Sequence, residues 1–140
     1  MREILFRGKR LHDNKWIYGN FVSDCEGDPH IIEPRFFCED GHHLQYEDNT
    51  DTPVFIIPET VGQFTGVTDM NKKPIFEGDI VVDRTMVFQV IGQIIYNTDK
   101  AAFVFKNSVT EESLDKHRWL EIIGNIHDNS ELLKEEEISW

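Results

Sequence analysis

The sequence predicts a mainly β protein, with an N-terminal β-hairpin region packed on a small β-barrel and a short C-terminal helix. Short apolar runs rich in β-branched and aromatic residues recur along the chain, and residues typical of turns separate them. A helix start signal lies near the C-terminus. We expect one compact unit over residues 1–140, with a hairpin subdomain at 1–53 and the barrel and helix at 54–140.

Three β-hairpins are predicted in chain order. The runs "EILFRGKRL" and "WIYGNFV" flank Asp13 and Asn14, which favour turns, so the first hairpin covers residues 3–23. The runs "VGQFTGV" and "PIFEGDIVV" flank the polar residues 69–73. The runs "MVFQVIGQIIY" and "AAFVFK" flank residues 97–100. Each pair of runs is long enough to form two antiparallel strands.

The segments between the hairpins are less regular. "HIIEP" and "VFII" are predicted as short strands, and "RWLEII" as the last strand. "CEDGHHLQYEDNTDTP" and "KNSVTEESLDKH" are polar and are predicted as exposed loops. Asp128, Ser130 and Glu131 mark the start of the short helix. We expect these core side chains: Trp16, Tyr18, Phe64, Phe76, Ile80, Val90, Ile94, Phe103, Phe105, Trp119 and Ile123.

The composition restricts the class of partner. The formal net charge of −12 disfavours ordinary nucleic-acid binding, because phosphate backbones repel an acidic chain. An acidic surface favours basic protein partners, or it mimics the charge of DNA. No apolar run is long enough to span a membrane and no signal peptide is evident, so we expect a cytoplasmic protein without membrane contact. Because no export signal is evident, no disulfide is expected between Cys25 and Cys38.

A set of possible zinc ligands lies in the irregular region: Cys25, His30, Cys38 and His42, with His43 beside them. Their spacing matches no familiar zinc motif. The alternative is two buried or semi-buried thiols and three loop histidines. We therefore expect no cofactor, and a small metal-dependent enzyme is kept as an alternative hypothesis.

No motif of an enzyme is present. Gly66 is followed by neither the Lys-Ser/Thr pair nor the helix of a phosphate-binding loop, and no nucleophile-elbow pattern occurs. The glycines are instead typical of bends and bulges in strands. The sequence therefore favours a non-enzymatic protein.

The clearest cationic cluster lies in the first predicted strand. Arg7 and Lys9 share one face of that strand, Arg10 follows, and Trp16 and Tyr18 lie opposite. Such a surface could stack a base or bind an acidic peptide. Alternatively, the charges protect an edge strand from pairing with other chains.

Three segments together resemble the YopX-like family of phage and prophage proteins. They are "FRGKRLHDNKWIYGNFV", "IIPETVGQFTGVTDMNKKPIFEGDIVV" and "EIIGNIHDNSELL", which span nearly the whole chain. The resemblance implies a β-rich protein of a phage or prophage, without an assigned activity. The middle segment is similar to the entry of an SH3-like barrel, expected from about Val54 to Ile126. There Gly66, Gly78 and Asp79 would form structural turns.

The leading hypothesis is a phage accessory protein that binds a host or phage protein in the bacterial cytoplasm. The alternatives are a nucleic-acid-related protein, either a direct binder or a DNA mimic, and the metal-dependent enzyme. Exposed hairpin edges also allow a homo-oligomer.

Overall fold

The computed structural model describes residues 4–23, 25–32, 36–38, 44–46, 54–85, 87–114 and 119–135. The chain divides into two compact units, Glu3–Gln63 and Phe64–Trp140. Every strand pair among the described residues is antiparallel. The predicted mainly β class is therefore confirmed.

The N-terminal unit is built on one sheet with the strand order β6-β3-β2-β1-β7, and β4 pairs separately with β5. Because β1 pairs with β2 on one side and with the first two residues of β7 on the other, it is an interior strand. The elements are β1 (Phe6–Lys9), β2 (Trp16–Ser23), β3 (Pro29–Ile32), β4 (Phe36–Cys38), β5 (Leu44–Tyr46), β6 (Val54–Phe55), a 3-10 helix (Pro58–Thr60) and β7 (Gly62–Thr68).

The first hairpin forms where the sequence predicts it. Asn14 takes up a left-handed backbone conformation with a φ of 59°, which asparagine tolerates better than most residues. The Asn14 N–H donates to the Arg10 carbonyl and the Arg10 N–H donates to the Lys15 carbonyl, both at 2.9 Å. These bonds close the turn and fix the register of β1 against β2.

The core of the N-terminal unit lies against one face of this sheet. Ile17, Ile31 and Ile56 are buried together, and Phe6 and Val54 pack against them. A methyl group in place of the Gly8 hydrogen would lie 3.0 Å from Ile56 Cδ1. The core side chains therefore approach the backbone of β1 closely, which fixes this strand in the sheet.

The C-terminal unit contains the rest of β7, which pairs with β8, and a five-stranded sheet of order β12-β11-β10-β9-β13. The helix α1 packs against β10. It begins at Glu131, the last residue of the predicted helix start signal formed by Asp128, Ser130 and Glu131. The elements are β8 (Pro74–Phe76), β9 (Asp79–Asp83), β10 (Val90–Asn97), β11 (Ala102–Lys106), β12 (Glu111–Ser113), β13 (Leu120–Asn125) and α1 (Glu131–Glu135).

A second hydrophobic cluster stabilises the C-terminal unit. Its buried members are Ile75, Val81, Ile94, Phe105, Leu114 and Leu120. Fully burying one such side chain contributes about 1.5–3 kcal/mol. The pairing of Ile94 with Phe105 across β10 and β11 confirms the third predicted hairpin.

The expected SH3-like barrel is wrong, because the described strands form open sheets. β12 and β13 end the five-stranded sheet on opposite sides and do not pair. A turn occupies the outer edge of β13: the Met70 N–H donates to the Leu120 carbonyl at 2.8 Å, and the Ile122 N–H donates to Asp69 at 3.1 Å. Because this edge is already hydrogen-bonded, no further strand closes the sheet there. β6 also pairs with β3 in the N-terminal unit, whereas the sequence grouped Val54 with the C-terminal residues.

Two further expectations are corrected. The two polar segments predicted as loops contain short strands. The first segment, residues 38–53, includes the last residue of β4 and all of β5, and the second, residues 106–117, includes β12. Of the expected core aromatics, Tyr18 is 45% exposed and Trp119 is 55% exposed. Phe76, Ile80, Ile94 and Phe105 are buried as expected.

Among the described residues, no helix is both long and apolar enough to cross a membrane.

Candidate functional site

The first hairpin brings four of the predicted site residues to one face of the N-terminal sheet. Arg7 lies opposite Tyr18, and Lys9 lies opposite Trp16. Directly paired residues point to the same side of an antiparallel sheet and successive residues alternate, so these four side chains share the face opposite the core residue Ile17. We call Arg7, Lys9, Trp16 and Tyr18 the cationic–aromatic face.

Two cations lie near the indole ring of Trp16. The guanidinium carbon of Arg7 is 4.6 Å from the ring centroid, and the Lys9 Nζ atom is 5.5 Å from it. Both distances suit a cation–π interaction, which contributes about 0.5–2 kcal/mol depending on desolvation. The negative face of the indole ring therefore holds both positive charges beside it.

The members of the face differ in how a ligand can reach them. Arg7 is buried, with 6% of its surface exposed, so a ligand can reach little of it. Lys9 and Trp16 are half-buried. Tyr18 is 45% exposed. A ligand can therefore contact the phenol ring of Tyr18, the Lys9 ammonium and part of the Trp16 indole.

The backbone below this face is fixed by the 3-10 helix. The Lys9 N–H donates to the Thr60 hydroxyl at 2.9 Å, and the Ile57 N–H donates to the Lys9 carbonyl at 2.9 Å. The Thr60 hydroxyl donates to the Ile57 carbonyl at 2.6 Å. Because both backbone groups of Lys9 are bonded, its side chain projects from a rigid position, as a preorganised binding residue requires.

Arg10 belongs to the turn and not to the face. Its guanidinium forms a bidentate ion pair with Asp13, in which Nε donates to Oδ1 at 2.9 Å and Nη2 contacts Oδ2. The hydrogen bond from Arg10 is the main reason why the pKa of Asp13 is lowered to about 2. Arg10 therefore stabilises the turn conformation that sets the register of the hairpin.

The same side of the sheet continues into β3 and β6, with residues that the sequence interpretation did not assign to this face. Val22 pairs with His30, and His30 pairs with Phe55. The His30 and Phe55 ring centroids are 4.1 Å apart. His30 is buried, whereas Phe55 is 53% exposed. The alternation of side chains along a strand could have identified Phe55 as a residue on the side away from the core, because its neighbours Val54 and Ile56 face the core.

The predicted zinc ligands are only partly within the described residues. Cys25 is an exposed free thiol. The Nδ1 atom of the buried His30 lies 3.0 Å from the Asp28 carbonyl. Cys38 is the last residue of β4, and His42 lies outside the described residues. In the described part of the chain, no three His, Cys, Asp or Glu residues form a group that could hold a metal ion. The metal hypothesis stays a prediction, which elemental analysis of protein purified without chelators would test.

Gly66, Gly78 and Asp79 lie in the C-terminal unit. Gly66 has a φ of 88° and lies where the register between β7 and β8 shifts. Gly78 has a φ of 94°, and its N–H donates to the Ile94 carbonyl at 2.8 Å. The buried Asp79 accepts a hydrogen bond from the Phe76 N–H at 2.7 Å. These bonds connect the turn between β8 and β9 to the adjacent strands.

One comparison with known proteins identifies a family, and another identifies a similar fold. A model of the YopX protein family matches residues 5–134. The crystal structure of protein EF1440 from Enterococcus faecalis is similar, with 23% sequence identity and a TM-score of 0.59. The match covers 95% of this chain and 99% of that chain. At this identity the likeness shows a shared fold alone. None of the curated proteins matches the sequence.

Proposed function

This chain belongs to the YopX protein family, and on that premise we propose that it is a non-enzymatic protein-binding module. Its cationic–aromatic face would bind an acidic segment of a host or phage protein in the bacterial cytoplasm. The Lys9 ammonium would pair with a carboxylate of that segment, and the Tyr18 ring would supply apolar contact area.

The observation that carries this proposal is the interior position of β1. Charges on an edge strand are explained by protection against pairing with other chains. Arg7 is paired with Tyr18 on one side and with Gly62 on the other. The Lys9 backbone, which pairs with Trp16, is also bonded to Thr60 and Ile57. Edge protection therefore explains neither charge. A half-buried lysine beside an exposed tyrosine, on a strand whose backbone is fixed, supports recognition instead.

The charge of the whole chain makes this face chemically distinct. With a net charge of −12, most of the surface repels an acidic partner. An acidic segment would therefore be directed to the few places where cations meet aromatic rings, because like-charge contacts elsewhere are unfavourable. The repulsion by the rest of the surface favours specific binding of the segment at this face more than it favours high affinity.

The proposal is tested by affinity capture from a lysate of the bacterial host, with mass spectrometry of the captured proteins. The test bait carries Lys9→Glu and Tyr18→Ser. The control bait carries Leu11→Ser and Lys15→Glu, which remove an exposed apolar side chain and reverse one charge in the turn of the same hairpin. Arg7 is left unchanged because it is buried, and its replacement would disturb the fold.

We expect one host or phage protein to be enriched by the wild-type and control baits and lost from the test bait. Equal melting temperatures of the three baits would show that all are folded. Equal enrichment by all three baits would place binding elsewhere, and an empty capture with folded bait would contradict a protein-binding function.

Single-stranded nucleic acid is a second candidate ligand, because an exposed aromatic ring beside a lysine can also stack a base. Titration with oligothymidylate at increasing salt separates the two. Binding that weakens steeply with salt would favour the nucleic acid, whereas no binding at low salt would favour the protein partner.

A further inference from the structure

The turn between β7 and β8 carries a lysine at a position that favours glycine. Thr68 pairs with Pro74 across this hairpin, and the Asp69 N–H donates to the Lys73 carbonyl at 2.8 Å. The last loop residue before Lys73 is Lys72, which has a φ of 64°. In a three-residue hairpin loop, glycine is the residue that suits this left-handed position. A side chain there crowds the backbone, so Lys72 makes the turn less stable than glycine would. We call residues 69–73 the lysine turn.

Hydrogen bonds from several directions hold the lysine turn in this conformation. The Lys72 N–H donates to the Asp69 carbonyl at 2.9 Å, and the Met70 N–H donates to the first carbonyl of β13 at 2.8 Å. The Asp69 carboxylate accepts from the Asn71 and Lys73 N–H groups at 2.8 and 2.9 Å. These bonds impose the strained conformation without help from the Lys72 side chain. Backbone strain that is held in this way is concentrated at binding sites and other functional sites.

The side chains of the lysine turn are available to a ligand. Met70, Lys72 and Lys73 are all exposed. Among the described residues, neither lysine ammonium group forms an ion pair. Glu121, on the adjacent strand β13, is paired with an arginine, and the Asp69 carboxylate is buried. The two lysine charges are therefore open to a partner.

The charge and polarity of the lysine turn indicate the chemistry of that partner. Two ammonium groups attract carboxylates, and an exposed methionine adapts to apolar side chains of different shapes. The net charge of −12 disfavours a long polyanion such as nucleic acid, because phosphates beyond the turn would meet an acidic surface. A short protein segment with a few carboxylates and one apolar residue avoids that repulsion.

We infer that the lysine turn is a second binding site, which takes a short acidic segment of another protein that also carries an apolar residue. Lys72 and Lys73 pair with carboxylates of the segment, and Met70 contacts its apolar side chain. The strain at Lys72 is the cost of placing an ammonium group at this position. The site lies within the C-terminal unit and does not depend on the cationic–aromatic face, so each can be tested without the other.

Replacement of Lys72 by glycine separates binding from folding. Glycine removes the ammonium group and relieves the strain, so Lys72→Gly should raise the melting temperature. Ala101→Gly is the matched control, because Ala101 has a φ of 51° in the turn between β10 and β11 and its replacement relieves strain without removing a charge. Both changes are made in the Lys9→Glu/Tyr18→Ser protein, which serves as the parent because its cationic–aromatic face is disabled.

Fluorescence anisotropy measures the binding of two labelled synthetic peptides. One contains glutamate, aspartate and leucine, and in the other glutamine and asparagine replace the acidic residues. We expect the acidic peptide to bind the parent and Ala101→Gly with the same Kd, and the neutral peptide not to bind. Lys72→Gly should raise the Kd about two- to fivefold, which corresponds to the loss of one exposed ion pair. Addition of Lys73→Gln should raise it further.

An equal Kd for Lys72→Gly and Ala101→Gly would overturn the inference, as would an acidic peptide that does not bind the parent. A melting temperature of Lys72→Gly below that of the parent would also overturn it, because the lysine side chain would then stabilise the fold. If oligothymidylate bound the parent more tightly than the acidic peptide and Lys72→Gly weakened that binding, the lysine turn would be a nucleic-acid site instead.

Discussion

Replacement of Asp69 by alanine tests how the turn between β7 and β8 is held to β13. The Asp69 Oδ1 atom accepts hydrogen bonds from the Asn71 and Lys73 N–H groups at 2.8 and 2.9 Å. Its Oδ2 atom accepts from the Ile122 N–H at 3.1 Å. Asp69 is 6% exposed. One buried carboxylate therefore closes the turn and also binds the edge of the five-stranded sheet.

The three hydrogen bonds contribute unequally to the free energy of unfolding. After Asp69→Ala, water can replace the acceptor for Asn71 and Lys73, which are exposed. The Ile122 N–H is part-buried and would lose its charged acceptor. A hydrogen bond to a charged group contributes about 1.5–3 kcal/mol, and the Ile122 bond is the one that water does not replace. We expect a total loss of about 1.5–3 kcal/mol.

Urea unfolding followed by circular dichroism measures this loss, with the slope of the transition expected to stay unchanged. Asp69→Asn is the matched control. It keeps one oxygen acceptor but places an NH₂ group at the other position, so it should retain part of the stability. A loss below about 1 kcal/mol for Asp69→Ala would refute the assigned role, since that is less than one charged hydrogen bond.

Three further predictions concern single positions. Gly78→Val should leave no cooperative thermal transition, because a β-branched residue is strained at a φ of 94°; a folded variant with a normal melting curve would contradict this. Gly92→Ala should lose about 1–3 kcal/mol in urea unfolding by overpacking, because the new methyl carbon would lie 2.6 Å from the Phe105 ring and 2.9 Å from a backbone oxygen; an unchanged midpoint would disprove it. Asp13 should titrate at about pH 2 in an NMR experiment and nearer its ordinary value of 3.8 after Arg10→Gln. Because folding lowers this pKa, the ion pair stabilises the fold above pH 4 or so and its contribution disappears as the pH falls towards 2; identical titrations in both proteins would argue against it.

The parts of the fold that follow from neighbouring residues were predictable from the sequence. Asp13 and Asn14 set the first hairpin, and its register follows once the turn is known. The sharing of one face by Arg7, Lys9, Trp16 and Tyr18 follows from that register. The glycine at position 78 likewise marks a turn that the backbone could not make with most other residues.

The parts that depend on distant pairing were not predictable. Nothing near Val54 shows that β6 pairs with β3, and Phe55 therefore could not be placed beside His30. The burial of Arg7 depends on a strand from residue 62 onwards that makes β1 an interior strand. The prediction of a closed barrel was wrong because it also depended on distant pairing. The hydrogen bond between Asp69 and Ile122, which occupies the edge of β13, joins residues far apart in the sequence.

The most direct test of the proposed function is an NMR titration of the isotope-labelled chain with a synthetic peptide of glutamate, aspartate and phenylalanine. The account predicts shifts of the Lys9 and Tyr18 amide signals and of the Trp16 indole signal, with Lys15 unaffected. The Lys9→Glu/Tyr18→Ser protein should show none of these shifts. Absence of any shift in the wild-type protein, or shifts confined to the C-terminal unit, would contradict the assignment of the cationic–aromatic face as the binding surface.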